Sequence, residues 1–99
     1  KGILKEEVIA KPIDINKINP EDIDKEILRA ALIAELDAIN LYEEMASLAK
    51  NQNIKSVLLD VAKEEKEHVG EFQTLLLMFD KEQVEELEGG KKEVEELIK

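Results

Sequence analysis

Three polar side chains stand where the hydrophobic pattern asks for apolar ones. At about 100° per residue around a helix, Glu35 falls among Leu28, Leu32, Ile39 and Tyr42. Glu65 falls at the centre of a second stripe made by Ile54, Leu58, Val61, Phe72, Leu76 and Phe79, and His68 lies on its flank one turn later. Glu67 projects to the opposite side and Glu64 lies at the edge, so both read as solvent-facing or rim residues. A carboxylate on a buried face is costly unless it is paired, protonated or bound to a metal. Each residue has an ordinary explanation when taken singly. A lone histidine on an apolar flank is more often hydrogen-bonded core than ligand, and a run such as Glu64-Glu65-Lys66-Glu67 is normally a solvated face. Together they form a donor set: Glu65 and His68, a Glu-x-x-His pair, aim inward from adjacent turns, and Glu35 waits on the preceding helix.

In carboxylate bundles that hold two iron or manganese ions, two helices each give a Glu and the other two each give a Glu-x-x-His. This chain carries one copy of each part, half of such a centre. A two-fold axis through a homodimer supplies the other half and closes a four-helix bundle. The charge agrees, since four glutamates from two chains balance two divalent cations, with two neutral imidazoles completing the set. Carboxylate and imidazole without sulfur suit iron(II), manganese or zinc; zinc usually takes more histidine and magnesium rarely takes it. Redox work at iron is therefore the favoured reading, with manganese possible. Tyr42, two turns beyond Glu35 on the same face, is placed either to hydrogen-bond a ligand carboxylate or simply to fill the core.

The elements that would position these residues are legible in the punctuation. Residues 1–20 form an N-terminal arm broken by Pro12 and Pro20, with Ile13, Ile15 and Ile18 alternating as in an extended segment lying on another surface. Asn19-Pro20-Glu21-Asp22 starts a helix, with Asn19 as cap and Pro20 at the first helical position. That helix runs without Gly or Pro to about residue 50. Asn51-Gln52-Asn53 reads as a tight turn, and a second helix follows over 54–79, interrupted only by Gly70. Asp80 caps a short third helix through Glu88; Gly89-Gly90 ends it, and residues 91–99 form a short terminal helix.

The short turn makes the two long helices antiparallel. The first carries two apolar stripes: Leu28, Leu32, Ile39, Tyr42 and Ala46, and, about 100° away, Ile27, Ala34, Leu41 and Leu48. A lone hairpin needs one such face, so the second implies another chain, unless the arm or the third helix covers it. The fold expected is thus all-α: an antiparallel two-helix hairpin in residues 21–99 with short C-terminal helices, dimerising into a four-helix bundle. The half-centre and the surplus stripe are separate observations with the same remedy.

Composition narrows the rest. Ninety-nine residues make one small domain, and Lys1 in place of Met is what a fragment or a processed product is expected to show. A formal net charge of −10 opposes nucleic-acid binding and permits cationic substrates, metals included. With no cysteine, disulfides, zinc-thiolate sites, iron–sulfur clusters and thiol nucleophiles are all excluded. No apolar run spans a membrane, and no segment reads as a signal peptide. Lack of cysteine is compatible with a reducing cytosol.

The stretch Ala34-Glu35-Leu36-Asp37-Ala38-Ile39-Asn40-Leu41-Tyr42, with Glu64-Glu65-Lys66-Glu67-His68, resembles the encapsulated ferritins, which are ferritin-like proteins held inside encapsulin nanocompartments or fused to the shell protein. The resemblance runs from about Ile27 to about Gly90. It implies iron ligands at Glu35, Glu65 and His68, with Tyr42 beside them, and a ferroxidase formed between two chains that oxidises iron(II) with oxygen. It also implies dimers assembled into an annular decamer and iron passed to a surrounding encapsulin shell for storage, in the cytoplasm. Some members have another acid just before the first ligand and a Trp before the Tyr. Here those positions are Ala34 and Leu41, while Asp37 keeps an acid, a departure that bears on the route by which metal arrives. No short apolar-basic targeting tail follows Lys99, as expected of a domain cut from a shell fusion or a chain without its tail. Two other readings compete. A rubrerythrin-like di-metal peroxidase would want both Glu-x-x-His motifs in one chain and often a cysteine-bound iron domain. A non-enzymatic acidic helical adaptor would keep Glu65 in solvent and bind no stoichiometric metal.

Overall fold

The computed structural model describes Asn16 and residues 19–99. A 3-10 turn, Pro20–Asp22, leads into α1 (Ile23–Leu48), followed by α2 (Gln52–Phe79) and α3 (Lys81–Ile98), with no strand among the described residues. Pro20 suits its place because the first residues of a helix have no use for an N–H. Asn19 serves through its backbone rather than its side chain: its carbonyl accepts from Asp22 N at 2.8 Å, and the side chain makes no capping bond. The alternating Ile13, Ile15 and Ile18 of the arm lie outside the described residues.

The turn between the long helices is tighter than the sequence suggests. Asn51 is a cap rather than a loop residue, its Oδ1 accepting from Asn53 N at 2.9 Å and Ile54 N at 3.0 Å. These bonds satisfy N–H groups that would otherwise be orphaned, and α2 therefore opens at Gln52 rather than at Ile54. Three cross-helix pairs establish the antiparallel register: Glu43–Lys66 at 3.1 Å, Glu35–His68 at 3.7 Å and Arg29–Asp80 at 2.8 Å. As the α1 partner moves towards its start, the other partner moves towards the end of α2. The core lies along this seam, with Leu28, Ile39, Ala46, Ala62 and Leu76 buried. By the same register Ala46 and Ala62 face one another near the turn, where two small side chains let the helices approach closely.

The ends of the predicted second-helix stripe are not covered, Ile54 and Phe79 both being exposed. The surplus stripe of α1 also stays largely open: Ile27, Ala34 and Leu48 are exposed, and only Leu41 is half-buried. α3 packs on the end of α2 alone and does not touch α1, so it is not the cover for that stripe.

The C-terminal region corrects the sequence reading. Gly89-Gly90 does not end a helix; α3 runs through both to Ile98, so the two short helices are one. A glycine terminator works by taking a positive φ, and no described glycine has one. Glycine occupies the right-handed helical region too, at a cost in chain entropy rather than in geometry. Asp80 caps α3 as expected, its Oδ1 accepting from Gln83 N at 3.0 Å. No helix among the described residues is long and apolar enough to cross a membrane.

Candidate metal centre

Glu35 stands at the midpoint of α1 and Glu65 at the midpoint of α2. Antiparallel packing brings these midpoints to one level, and His68 follows one turn after Glu65 on the same side. One ligand atom from each of Glu35, Glu65 and His68 lies within 4.8 Å of the other two. His68 Nδ1 is 2.8 Å from Glu65 Oε1 and 3.7 Å from Glu35 Oε1, so the imidazole turns the same nitrogen to both carboxylates. The carboxylates are drawn in, with side chains 20% and 18% exposed, whereas the His68 side chain is 46% exposed.

The charges show how crowded the group is. A hydrogen bond shared with Glu65 holds the Glu35 carboxyl above its ordinary value, and burial and the charge of Glu65 push the same way. Hydrogen bonds from Glu35 and from His68 hold Glu65 below its ordinary value. The hydrogen bond to Glu65 raises the His68 imidazole against the opposing effect of burial, and the charges of Glu35, Glu65 and Glu71 add to it. Of the two carboxyls, Glu35 is thus the more readily protonated and Glu65 the more readily ionised. The only positive charge within the trio is a titratable one. A divalent cation among these atoms would supply the positive charge that the two carboxylates lack, and its donors would be oxygen and imidazole nitrogen, the set that suits iron or manganese.

Other expected positions fall as follows. Glu64 and Glu67 are exposed. Tyr42 is half-buried, and its hydroxyl has no hydrogen-bond partner among the described residues, so the bond considered for it to a ligand carboxylate is not formed within the chain. Asp37 is half-buried, two residues from Glu35 and roughly 200° around the helix from it.

Two features escaped the sequence reading. Arg29 crosses the base of the hairpin to Asp80 Oδ2 at 2.8 Å, tying the start of α1 to the corner between α2 and α3. Its one signal is that Arg29 is the sole arginine of a chain that otherwise uses lysine. Glu43 and Lys66 also pair across the hairpin, on its exposed side.

The chain resembles known proteins along most of its length. The sequence model of the family described as Rubrerythrin matches residues 26–99. A ferritin-like–encapsulin shell fusion protein of Pyrococcus furiosus is 58% identical over 87% of this chain and 26% of its own length. An encapsulin nanocompartment cargo protein, EncC, of Myxococcus xanthus is 41% identical over 57% of this chain and 43% of its own length. The chain thus spans about a quarter of one curated relative and less than half of the other. The crystal structure of an encapsulated ferritin domain from Pyrococcus furiosus superposes with a TM-score of 0.79 at 54% identity, covering 88% of this chain and 94% of that one.

Proposed function

The chain belongs to the rubrerythrin family as an encapsulated-ferritin-like domain, and we propose that it is a ferroxidase whose di-iron centre is completed by a second copy of the chain. The observation that carries this reading is the apposition of Glu35, Glu65 and His68 within 4.8 Å across the hairpin, in a chain that has a single histidine. One chain has one Glu-x-x-His and no means of making a second. The same count argues against a peroxidase that carries both motifs in one chain. The adaptor reading expects a solvent-facing Glu65, and the Glu65 side chain is 18% exposed.

Iron(II) is the substrate: Glu35 and Glu65 would hold it through carboxylate oxygens and His68 through Nδ1. Each bound iron(II) gives up one electron to oxygen. The chain's own residues prepare for this by protonation. Any proton on the Glu35 carboxyl or on His68 Nδ1 leaves when the cation arrives, so binding releases protons and strengthens as pH rises. Ionised carboxylates then favour the higher positive charge of the product. Two chains related by a two-fold axis bring four carboxylates and two imidazoles, enough for two metals about 3.5–4 Å apart. Tyr42, free of partners within its own chain among the described residues, lies on the face that the second chain would cover.

The printed names of the relatives support the wider setting, a domain serving an encapsulin shell as separate cargo or as a fused part. In that setting dimers assemble into an annular decamer inside the cytoplasmic nanocompartment, and iron(III) passes to the lumen for storage. The test is oxygen uptake on adding iron(II) to chelator-free protein, with metal content and native mass measured on the same sample. The expected result is rapid uptake by a species with one metal per chain and two per dimer. Uptake no faster than in buffer, or an active monomer with two metals, would overturn the reading.

A further inference from the structure

His68 turns only one of its two ring nitrogens to the trio. Nδ1 lies 2.8 Å from Glu65 Oε1 and 3.7 Å from Glu35 Oε1, which leaves Nε2 on the far side of the ring. A nitrogen that binds a metal cannot also carry a proton, so a neutral imidazole that ligates through Nδ1 carries its proton on Nε2. The contact with an ionised Glu65 favours the other tautomer, with the proton on Nδ1. Ligation at Nδ1 therefore moves the proton to the outer nitrogen, and an acceptor beside Nε2 stabilises the form that results.

Glu71 is placed to be that acceptor. It stands three residues after His68, one turn further along α2. The Cα–Cβ bonds of a helix tilt towards its N-terminus, so a side chain covers the turn before its own. His68 accordingly reaches back to Glu65, and by the same rule Glu71 reaches back over His68. The imidazole is thus the middle rung between two carboxylates. Glu64 is four residues before His68, and the same tilt leans it away, towards the turn of Asp60. The electrostatics separate the two acids: the charges that raise the His68 imidazole most are those of Glu35, Glu65 and Glu71, not that of Glu64. No other group on the helix competes for Glu71. The residues three and four positions from it are Glu67, His68, Thr74 and Leu75, so the imidazole is its one cationic neighbour there.

We propose that Glu71 is a positioning residue of the metal centre: its carboxylate accepts a hydrogen bond from Nε2–H of His68 and so holds the imidazole in the tautomer and orientation that present Nδ1 to the metal. The inference rests on the centre proposed above and adds a fourth side chain of the same chain to it. Glu71 touches neither the metal nor the oxidant. A carboxylate on the outer nitrogen also makes the ligating nitrogen more basic, which strengthens its bond to a cation. In the structure Glu71 acts on His68 by charge alone, whereas Glu65 also hydrogen-bonds it. The bond to Glu71 forms when a metal takes Nδ1 and leaves the proton on Nε2.

Because His68 is the sole histidine, NMR of the full chain labelled only at its histidine reads both ring nitrogens without ambiguity. Zinc(II) serves as a diamagnetic, redox-inert probe. When zinc binds, Nδ1 should show the shift of a metal-bound nitrogen and Nε2 that of a protonated one, with an Nε2–H slow to exchange with water. Glu71→Ala should speed that exchange by an order of magnitude and weaken zinc binding roughly 10–100-fold. The helicity and thermal midpoint of the zinc-free protein should stay unchanged. Glu71→Gln, which keeps a carbonyl acceptor, should recover part of both losses, and Glu64→Ala should cause neither. An Nε2–H that exchanges as slowly in Glu71→Ala as in the unchanged chain, or an equal loss in Glu64→Ala, would overturn the role of Glu71 and leave the centre standing. Zinc bound through Nε2 would also overturn it, since the nitrogen facing Glu71 would then carry no proton. Histidine signals that do not respond to zinc would overturn the centre and the role of Glu71 together.

Discussion

Two places where carboxylates are drawn out of solvent, the base of the hairpin and its middle, are compensated differently. At the base of the hairpin Asp80 is 8% exposed. One of its oxygens accepts from Gln83 N at 3.0 Å and the other from the Arg29 guanidinium at 2.8 Å. The backbone bond from Gln83, the bond from Arg29 and the nearby positive charges of Lys25 and Arg29 hold it below the ordinary carboxylate range, against burial. At mid-hairpin Glu35 and Glu65 face each other with an imidazole as their nearest cation, and Glu35 is pushed above the ordinary range. A permanent charge balances the first group, whereas the second has only a titratable partner in His68. The first arrangement is architecture: it fixes where α3 leaves the hairpin. The second leaves a deficit of positive charge that a divalent cation would remove.

The largest effects should separate these two places by function. Glu35→Ala, Glu65→Ala or His68→Ala should lower iron(II) oxidation by more than the roughly 10–100-fold that outer partners of metal ligands cost, read as initial rates of oxygen uptake. Glu67→Ala, on the exposed side, should leave the rate unchanged. A Glu67→Ala loss as deep as that of Glu65→Ala would show that the helical phase is wrong. Asp80→Ala should act on stability instead. It removes the cap of α3 and leaves Arg29 without its buried partner, so the thermal midpoint should fall by several degrees. Equal midpoints for Asp80→Ala and the unchanged chain would remove the architectural half of the comparison.

What the sequence could disclose follows the same division. Helical phase depends on neighbouring residues, and it was enough to place Glu35 and Glu65 inward, His68 beside them and Glu67 outward. It also gave the antiparallel hairpin and the cap at Asp80. The Arg29–Asp80 bond joins residues 51 positions apart, and no periodicity encodes such a pair. Gly89-Gly90 misled because glycine marks a helix end only where the chain turns left-handed, and here it does not. Asn51 looks like a loop residue in the sequence because cap and turn use the same residue type for the same acceptor chemistry.

The two places should also respond differently to pH. Asp80, held low, stabilises the fold above its unfolded value of about 3.9, and that contribution is lost as pH falls through its folded value. His68, held high, stabilises the metal-free fold below its unfolded value of about 6.5, and that contribution is lost as pH rises through its folded value. Glu35, also held high, adds to the second trend, since its ionised form is the disfavoured one in the fold, while Glu65, held low, joins Asp80 in the first. Metal-free protein should therefore lose stability on both sides of a weakly acidic optimum. A saturating divalent cation should stabilise the alkaline side most, because binding displaces the same protons. Glu35→Gln should split stability from binding: a metal-free midpoint at or above that of the unchanged chain, with weaker metal binding. Thermal melts across pH, with and without zinc(II), read both effects, and a Glu35→Gln chain that loses stability without metal would contradict a charge deficit at mid-hairpin.

The smallest expected effect concerns the helix that the Asp80 corner launches. Gly89 lies within α3 at a negative φ, and a Cβ built there meets only Glu86 Oε1 at 3.8 Å, an ordinary contact with the end of a flexible side chain. Alanine therefore fits without strain and restricts the unfolded chain, which should stabilise α3 by roughly 0.5–1 kcal/mol. Position 89 faces away from the stripe of Val84, Leu87, Val94 and Ile98, so the substitution strengthens the helix without altering that apolar face. Gly89→Ala should raise helicity and slow amide exchange in α3, while iron(II) oxidation, set at mid-hairpin, stays unchanged. Placed on Asp80→Ala, the same substitution should recover part of the lost midpoint, because both changes act on the stability of one helix. Recovery of oxidation in a Glu65→Ala chain by Gly89→Ala would mean that the two places are not separable.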